Sequence, residues 1–283
     1  MIELAVGGKR DLVLANPAMP AAGVFGFGDE YARLVAIDKL GALVTNPITW
    51  TPRAPASGPR VVAMTGGMLL HTGLPNPGMS RAIRQYRDVW AAFPAPVIVH
   101  VVATNLSDVH RCCAALDTLE GVAGIELGVH DQATAAEVAD ALREAARATT
   151  LPVIARLPLL RAPELAPAAQ DAGACARWLW ARRRADDARP RHRAVRRRPA
   201  VWAVDQPLAL RAVGQAASQV RLPVIGCGGI HAREDARDFI DAGAVAVQVD
   251  AAIWVKPGIL EEIAGELGGL DATRVAGAWP DEW

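Results

Sequence analysis

Short runs of β-branched apolar residues recur along this chain, each followed by a stretch of helical periodicity, and that alternation restricts the fold to parallel α/β architectures. The runs are Ala42–Thr45, Val97–Val102, Gly124–Leu127, Val153–Leu157, Val224–Gly226 and Ala244–Val249. Runs this continuous read as parallel strands buried on both faces. Between them, Ser80–Ala92, Ser107–Leu119, Ala133–Ala148, Leu208–Gln219 and Ala232–Ala242 space their apolar residues as helices do. Asn105 or Ser107 starts one helix, with Asp108 in its first turn, and Gly121, Gly173 and Gly243 stand where helices stop. Leu151-Pro-Val-Ile154 is echoed by Leu222-Pro-Val-Ile225, and Asp171-Ala-Gly-Ala174 by Asp241-Ala-Gly-Ala244. The 283 residues suit one (β/α)₈ barrel, which needs about 250, so a single barrel domain over residues 1–283 is expected. A doubly wound sheet has the same cadence and stays the alternative.

No apolar run reaches the roughly 20 residues that cross a bilayer, and Glu3 stands where a signal peptide is basic, so a cytoplasmic protein without a membrane partner is expected. The four cysteines, Cys112, Cys113, Cys175 and Cys227, have no CxxC spacing, which argues against a disulfide scaffold or a zinc knuckle. Nor does any His/Asp/Glu pattern have metal-ligand spacing; His100, His130 and Asp131 fall on different elements. The zero net charge hides an asymmetry: residues 177–198 hold ten Arg against Asp186 and Asp187, a balance of +8, leaving −8 elsewhere. That stretch begins where a sixth strand should follow Asp171-Ala-Gly-Ala174, so the region of about 175–205 is expected to be irregular. Three readings of it stand open. It is a solvated loop, or a tract gripping nucleic acid through its Arg with Trp178, Trp180 and Trp202 stacking on bases, or text read one nucleotide out of frame. A shift of GC-rich codons over Ala176–Arg184 permits Ala-Val-Ala-Val-Gly-Pro-Pro-Pro, a strand and a loop. Because the tract replaces a strand where an insertion would sit beside one, a nucleic-acid partner is not the expectation.

The text Asn16-Pro-Ala-Met-Pro-Ala-Ala-Gly-Val-Phe-Gly-Phe-Gly-Asp-Glu30, followed by Leu40–Thr45, Gly66-Gly-Met-Leu69 and Gly73-Leu-Pro-Asn-Pro-Gly78, closely resembles the dihydroorotate dehydrogenase family, and its soluble class most of all. Gly121–Leu127, Leu151–Ile154, Pro223-Val-Ile-Gly-Cys-Gly-Gly-Ile230 and Ala242–Val249 continue the likeness over most of residues 12–260. The resemblance implies a (β/α)₈ barrel holding FMN at the C-terminal mouth of its strands, oxidation of dihydroorotate to orotate in pyrimidine biosynthesis, a homo-oligomer, and an electron-transfer subunit as partner.

The residues that carry that chemistry depart from the family pattern. By resemblance Ala22 and Gly23 pass close to the flavin, Gly228 and Gly229 hold its phosphate, and Gly73 and Leu74 border the substrate. Asn46 occupies the place of the first family lysine, Leu70 that of an orotate-binding Asn, and Gly128 that of another. Asp131 replaces the cysteine base, and Ala133 a further Asn. Arg156 stands for the lysine beside the flavin ring, or it makes an ion pair with Glu126 on the neighbouring strand. The pair Asp250-Ala251 replaces a Gly-Thr pair at the phosphate. A carboxylate ~5 Å from a phosphate charge costs about 3 kcal/mol at an effective dielectric of about 20. Asp131 serves as a replacement base if burial raises its pKa; a solvated loop carboxylate is the plainer reading. The expectation is an FMN-dependent oxidoreductase that has lost most of its orotate-binding set. The alternative is a non-catalytic barrel, a subunit or regulator without flavin chemistry.

Overall fold

The computed structural model describes residues 1–5, 9–64, 67–173, 176–180, 183–184, 199–202 and 206–268. A short antiparallel hairpin, β1 (Ile2–Ala5) and β2 (Leu12–Leu14), opens the chain and leads into β3 (Ala18–Pro20) and β4 (Leu43–Val44). A second hairpin follows, β5 (Val61–Met64) and β6 (Gly67–Leu70), and then helix α1 (Met79–Ala91). From there strand and helix alternate: β7 (Val97–Val102), α2 (Leu106–Asp117), β8 (Val122–Gly128), α3 (Ala135–Ala148), β9 (Val153–Pro158), α4 (Ala162–Asp171) and β10 (Ala176–Trp180). Two short strands, β11 (Arg183–Arg184) and β12 (Pro199–Trp202), precede α5 (Gln206–Gln219), β13 (Val224–Cys227), α6 (Arg233–Asp241), β14 (Ala246–Val249), α7 (Ala252–Val255) and α8 (Ile259–Leu267).

Eight of these strands form one parallel sheet in the order β3-β14-β13-β10-β9-β8-β7-β4. Its two outermost members are neighbours in sequence and are joined by a hydrogen bond from Gly41 N to Ala18 O at 2.8 Å. The expected α/β class and parallel sheet are thus present. Helix starts also fall where the capping residues put them. The Asn105 side chain accepts from Asp108 N at the start of α2, and Thr134 and Glu137 form a reciprocal capping box at α3.

The sixth strand corrects one expectation. Ala176–Trp180 is an extended strand paired in parallel with β9 on one side and β13 on the other. A strand inserted between two partners receives both rows of main-chain hydrogen bonds whatever its side chains, and this overrides a sequence that breaks the hydrophobic pattern. Further along, β12 runs antiparallel to β6, with Ala200 opposite Leu69, and β11 pairs with β12. The Arg-rich residues 185–198 and Cys175 lie outside the described residues.

The two faces of the sheet are built differently. One packs against the helices through Val97, Val99, Val101, Ile125, Leu127 and Val153, all buried. On the other, Ile98, Ile154, Ile225 and Ala246 meet Ile2, Leu4, Leu12 and Leu14 of the first hairpin. These are the first or second residues of their strands, so the hairpin closes the N-terminal end of this inner face. Full burial of each Leu or Ile contributes about 1.5–3 kcal/mol. At the same end, Asp117 accepts from Thr149 Oγ1 (2.7 Å), Thr150 N (2.5 Å) and Thr150 Oγ1 (2.9 Å), fastening the end of α2 to the turn before β9.

Burial alone would raise the Asp117 carboxyl, but those hydroxyls and the amide, with Arg10 nearby, hold it down at about 2. A depressed carboxylate contributes stability that is present above its unfolded pKa of about 4 and lost as pH falls through the folded value. Asp117→Ala is expected to cost about 1 kcal/mol after solvent screening, roughly 2–4 °C in Tm. Thermal melts at pH 7 and across pH 4 to 2 check this; the gap from the parent chain should close over the acid range.

Candidate active site

Side chains alternate across a strand, so the residue two positions beyond each apolar residue of the inner face points the same way, one layer nearer the C-terminal ends. In that layer the apolar lining gives way to polar groups: His100 on β7, Glu126 on β8, Arg156 on β9, Cys227 on β13 and Gln248 on β14. All are buried, with Glu126 and Gln248 completely so. His100 and Glu126 are directly opposite in register, as are Gly128 and Arg156.

His100 Nδ1 lies 2.5 Å from Glu126 Oε1. On the other edge of the ring, His100 Nε2 is 3.3 Å from Arg156 Nη1. Arg156 Nε is 3.7 Å from the same Glu126 oxygen, and Gln248 Nε2 is 3.4 Å from Glu126 Oε2. The ion pair with Glu126 anticipated for Arg156 is therefore present. Burial pulls the Arg156 guanidinium below its ordinary value, while Glu126, with Cys227, Asp250 and Asp131 beyond it, acts in the opposite direction. One buried cation thus sits within reach of three carboxylates.

Gly128 makes room for this arrangement. A Cβ built there would stand 2.7 Å from both Cε1 and Nε2 of His100, a separation real side chains do not show. The imidazole occupies the volume that a side chain at position 128 would need.

The remaining expected site residues distribute around the C-terminal ends of the strands. Ala22 is buried, and a Cβ built at Gly23 would have Pro47 Cδ, at 3.9 Å, as its nearest neighbour among the described residues. Asn46 N donates to Gly26 O (2.7 Å) and Asn46 Oδ1 accepts from Gly26 N (3.3 Å), so this amide ties the loop after β3 to the end of β4. Leu70 ends β6. Leu74 is held at φ 54, a rare conformation for a side chain of its size; its carbonyl accepts from Asn76 Nδ2 at 3.0 Å.

Gly228 and Gly229 both take positive φ, 113 and 73, in the turn after β13, and a Cβ at Gly229 would meet Gln206 N and Cβ at 2.7 Å. Gly229 is thus also required where the chain crosses the start of α5. Asp250 is buried on the inner face beyond Gln248, and Ala251 leads into α7. Lys256 pairs with Glu262 (2.6 Å) and Arg233 with Glu234 (2.9 Å), and Arg156 is within electrostatic reach of Asp250.

Asp131 is exposed on the loop after β8, without the burial expected of a replacement base. His130 is exposed beside it, far from the buried environment of His100. A separate cavity of about 320 Å³ opens next to this loop, lined by Asn105, Val109, His130, Ala133, Glu137 and Asp140. Among the described residues no helix is long and apolar enough to cross a membrane, and no group of three or more metal-ligating side chains gathers.

Sequence reading named Arg156 and Glu126 but passed over Gln248 as a sitting member of the site and saw His100 only as a remote metal candidate. The signal was available: a His and a Gln in otherwise apolar strands, each two residues past an inward-facing aliphatic one.

An eight-stranded parallel α/β sheet with its polar groups gathered at the strands' C-terminal ends is the arrangement of an enzyme or its direct descendant. The comparisons with known proteins narrow the class. The family model described as dihydroorotate dehydrogenase matches residues 9–165 and 204–270. Among curated proteins, the "Dihydroorotate dehydrogenase B (NAD(+)), catalytic subunit" of Desulforudis audaxviator is 35% identical, with 90% of this chain and 89% of that protein covered. The proteins of the same description from Citrifermentans bemidjiense and Geobacter sulfurreducens are each 34% identical, covering 94% and 90% of this chain. This chain belongs to the dihydroorotate dehydrogenase family.

Gly128→Ala is expected to destabilise the protein by about 1–3 kcal/mol through overpacking, and much of that loss should vanish when His100→Ala is combined with it. Urea unfolding of the two single variants and the double variant measures the coupling; additive losses would show that the two positions do not share the space.

Proposed function

We propose that this chain is an FMN-dependent oxidoreductase of the dihydroorotate dehydrogenase family, a single (β/α)₈ barrel whose sheet closes between β3 and β4. In this reading its mouth accepts a substrate that lacks the carboxylate of dihydroorotate. The observation that carries the reading is Arg156, a buried guanidinium on the inner face at the C-terminal ends of the strands. The cradle around it supports a flavin. Gly23 leaves open the face that a ring would lie on, and the Gly228-Gly229 turn takes the positive-φ conformation that aims main-chain N–H groups at an anion. Asp250 shares the inner face with Gln248 and is offset by Arg156, which moderates its repulsion of the phosphate.

When bound, the flavin supplies the hydride acceptor that the side chains lack. The chain's own residues do the rest. Ala22, Gly23 and Arg156 would hold the ring, Gly228 and Gly229 the phosphate, and the loop of Gly73 and Leu74 would border the substrate. Asp131, on the loop that leaves β8 and within electrostatic reach of Arg156, takes the substrate proton at its carboxylate once a bound substrate covers it from solvent. Asn46 is committed to Gly26 and adds no charge. With Glu126, Asp131 and Asp250 around one guanidinium, a substrate carboxylate meets more repulsion than attraction, which supports a substrate uncharged at that end. The description of the relatives as catalytic subunits supports a separate electron-transfer subunit as partner.

The test is the visible absorption spectrum of the purified chain after FMN is added and the sample desalted. About one flavin per chain should be retained, and millimolar dihydroorotate should leave it oxidised. Asp131→Asn should keep the flavin and abolish turnover of whichever neutral substrate reduces it. A folded protein that retains no flavin would replace this reading with the non-catalytic barrel, and rapid bleaching by dihydroorotate would overturn the substrate claim.

A further inference from the structure

Arginine carries only hydrogen-bond donors. Because Arg156 Nη1 faces His100 Nε2 at 3.3 Å, that ring nitrogen is the acceptor, and the proton of the imidazole is on Nδ1, directed at Glu126 Oε1 2.5 Å away. A doubly protonated ring would set Nε2–H against the guanidinium N–H, and an Nε2–H tautomer would do the same while leaving Nδ1 lone pair to carboxylate lone pair. Both ring edges are therefore spoken for in a single protonation state.

We infer that His100 is a positioning residue: a neutral, Nδ1-protonated imidazole that receives the Arg156 guanidinium on one edge, is anchored by Glu126 on the other, and so fixes the direction in which Arg156 presents its charge. Three further observations fit this role. His100 is almost wholly buried, with its two ring nitrogens turned to Glu126 and Arg156, so it acts through Arg156. Gly128 is vacant of side chain at the point the Nε2 edge occupies. Gln248 Nε2 holds the second Glu126 oxygen from β14, which keeps the carboxylate from rotating away. Among the described residues the ring itself faces Glu126 from β8 and Arg156 from β9, and the further groups acting on Arg156 are Asp131 on the loop after β8, Cys227 from β13 and Asp250 at the end of β14. A lysine at position 156 would not be held this way, because its single ammonium cannot reach Glu126 and the ring edge with separate, rigidly spaced donors.

The inference concerns the chain without cofactor, and only its last readout rests on the flavin reading. The experiment is nitrogen-15 NMR of the full-length protein, with His100→Ala and His100→Gln as comparators. In the parent chain the His100 ring should show the neutral Nδ1–H pattern unchanged from pH 5 to pH 8, and the Arg156 Nε–H should exchange slowly with water. Exchange at Arg156 should accelerate about tenfold or more in His100→Ala. It should recover in His100→Gln, whose amide can donate to Glu126 and accept from Arg156 as the imidazole does. A ring that titrates in this range, an Nε2–H tautomer, or Arg156 exchange that is the same in all three proteins would overturn the proposal. Should His100→Ala fail to fold, the tautomer of the parent and the behaviour of His100→Gln still decide it. In FMN-loaded protein, sulfite, which adds to a flavin more readily beside a fixed cation, should bind about tenfold more weakly to His100→Ala and near normally to His100→Gln. A chain that retains no FMN defeats the flavin reading while leaving the Arg156 result to stand alone.

Discussion

A charged pair placed inside a sheet is costly unless each partner is held by further hydrogen bonds, and the Glu126–Arg156 pair sets the terms for everything around it. Glu126 is wholly buried and is met by three groups from three other strands: His100, Arg156 and Gln248. Removing one member leaves an uncompensated charge in a low-dielectric layer, so the strands that bear them must keep their mutual register. The apolar layer beneath, closed by the first hairpin, excludes water from one side of this cluster. The layer above is the mouth, where a ligand would finish the enclosure.

This explains which departures from the family pattern belong together. Where the family resemblance implies a cation, position 46 carries an amide that serves the Gly26 loop, and position 156 carries a cation shared with Glu126. Asp250 adds a buried carboxylate within electrostatic reach of the same guanidinium.

Most of the fold was legible because the strands of a parallel sheet are long-range partners that nevertheless announce themselves locally, as with Val97–Val102 and Val153–Leu157. The first hairpin and β3 were not singled out, being only three or four residues each, too short for a period of two to register. Ala176–Trp180 was misjudged for the opposite reason: its composition is wrong for a core strand, and only the pairing to β9 and β13 makes it one. At the site, resemblance located Arg156, Gly128 and Asp250 one by one. Their interaction was hidden because His100, the residue that links the first two, lies on a different strand and belongs to no motif.

The crowding between His100 and Gly128 also has a consequence for descent. An Asn at position 128, which the family resemblance implies, would bring its Cβ within 2.7 Å of the His100 ring, so the ring must give way for that side chain to return. Restoring the Asn alone would press on an imidazole that supports a buried ion pair, whereas an amide at position 100, able to serve Glu126 and Arg156 as the ring does, leaves a way back that begins at position 100.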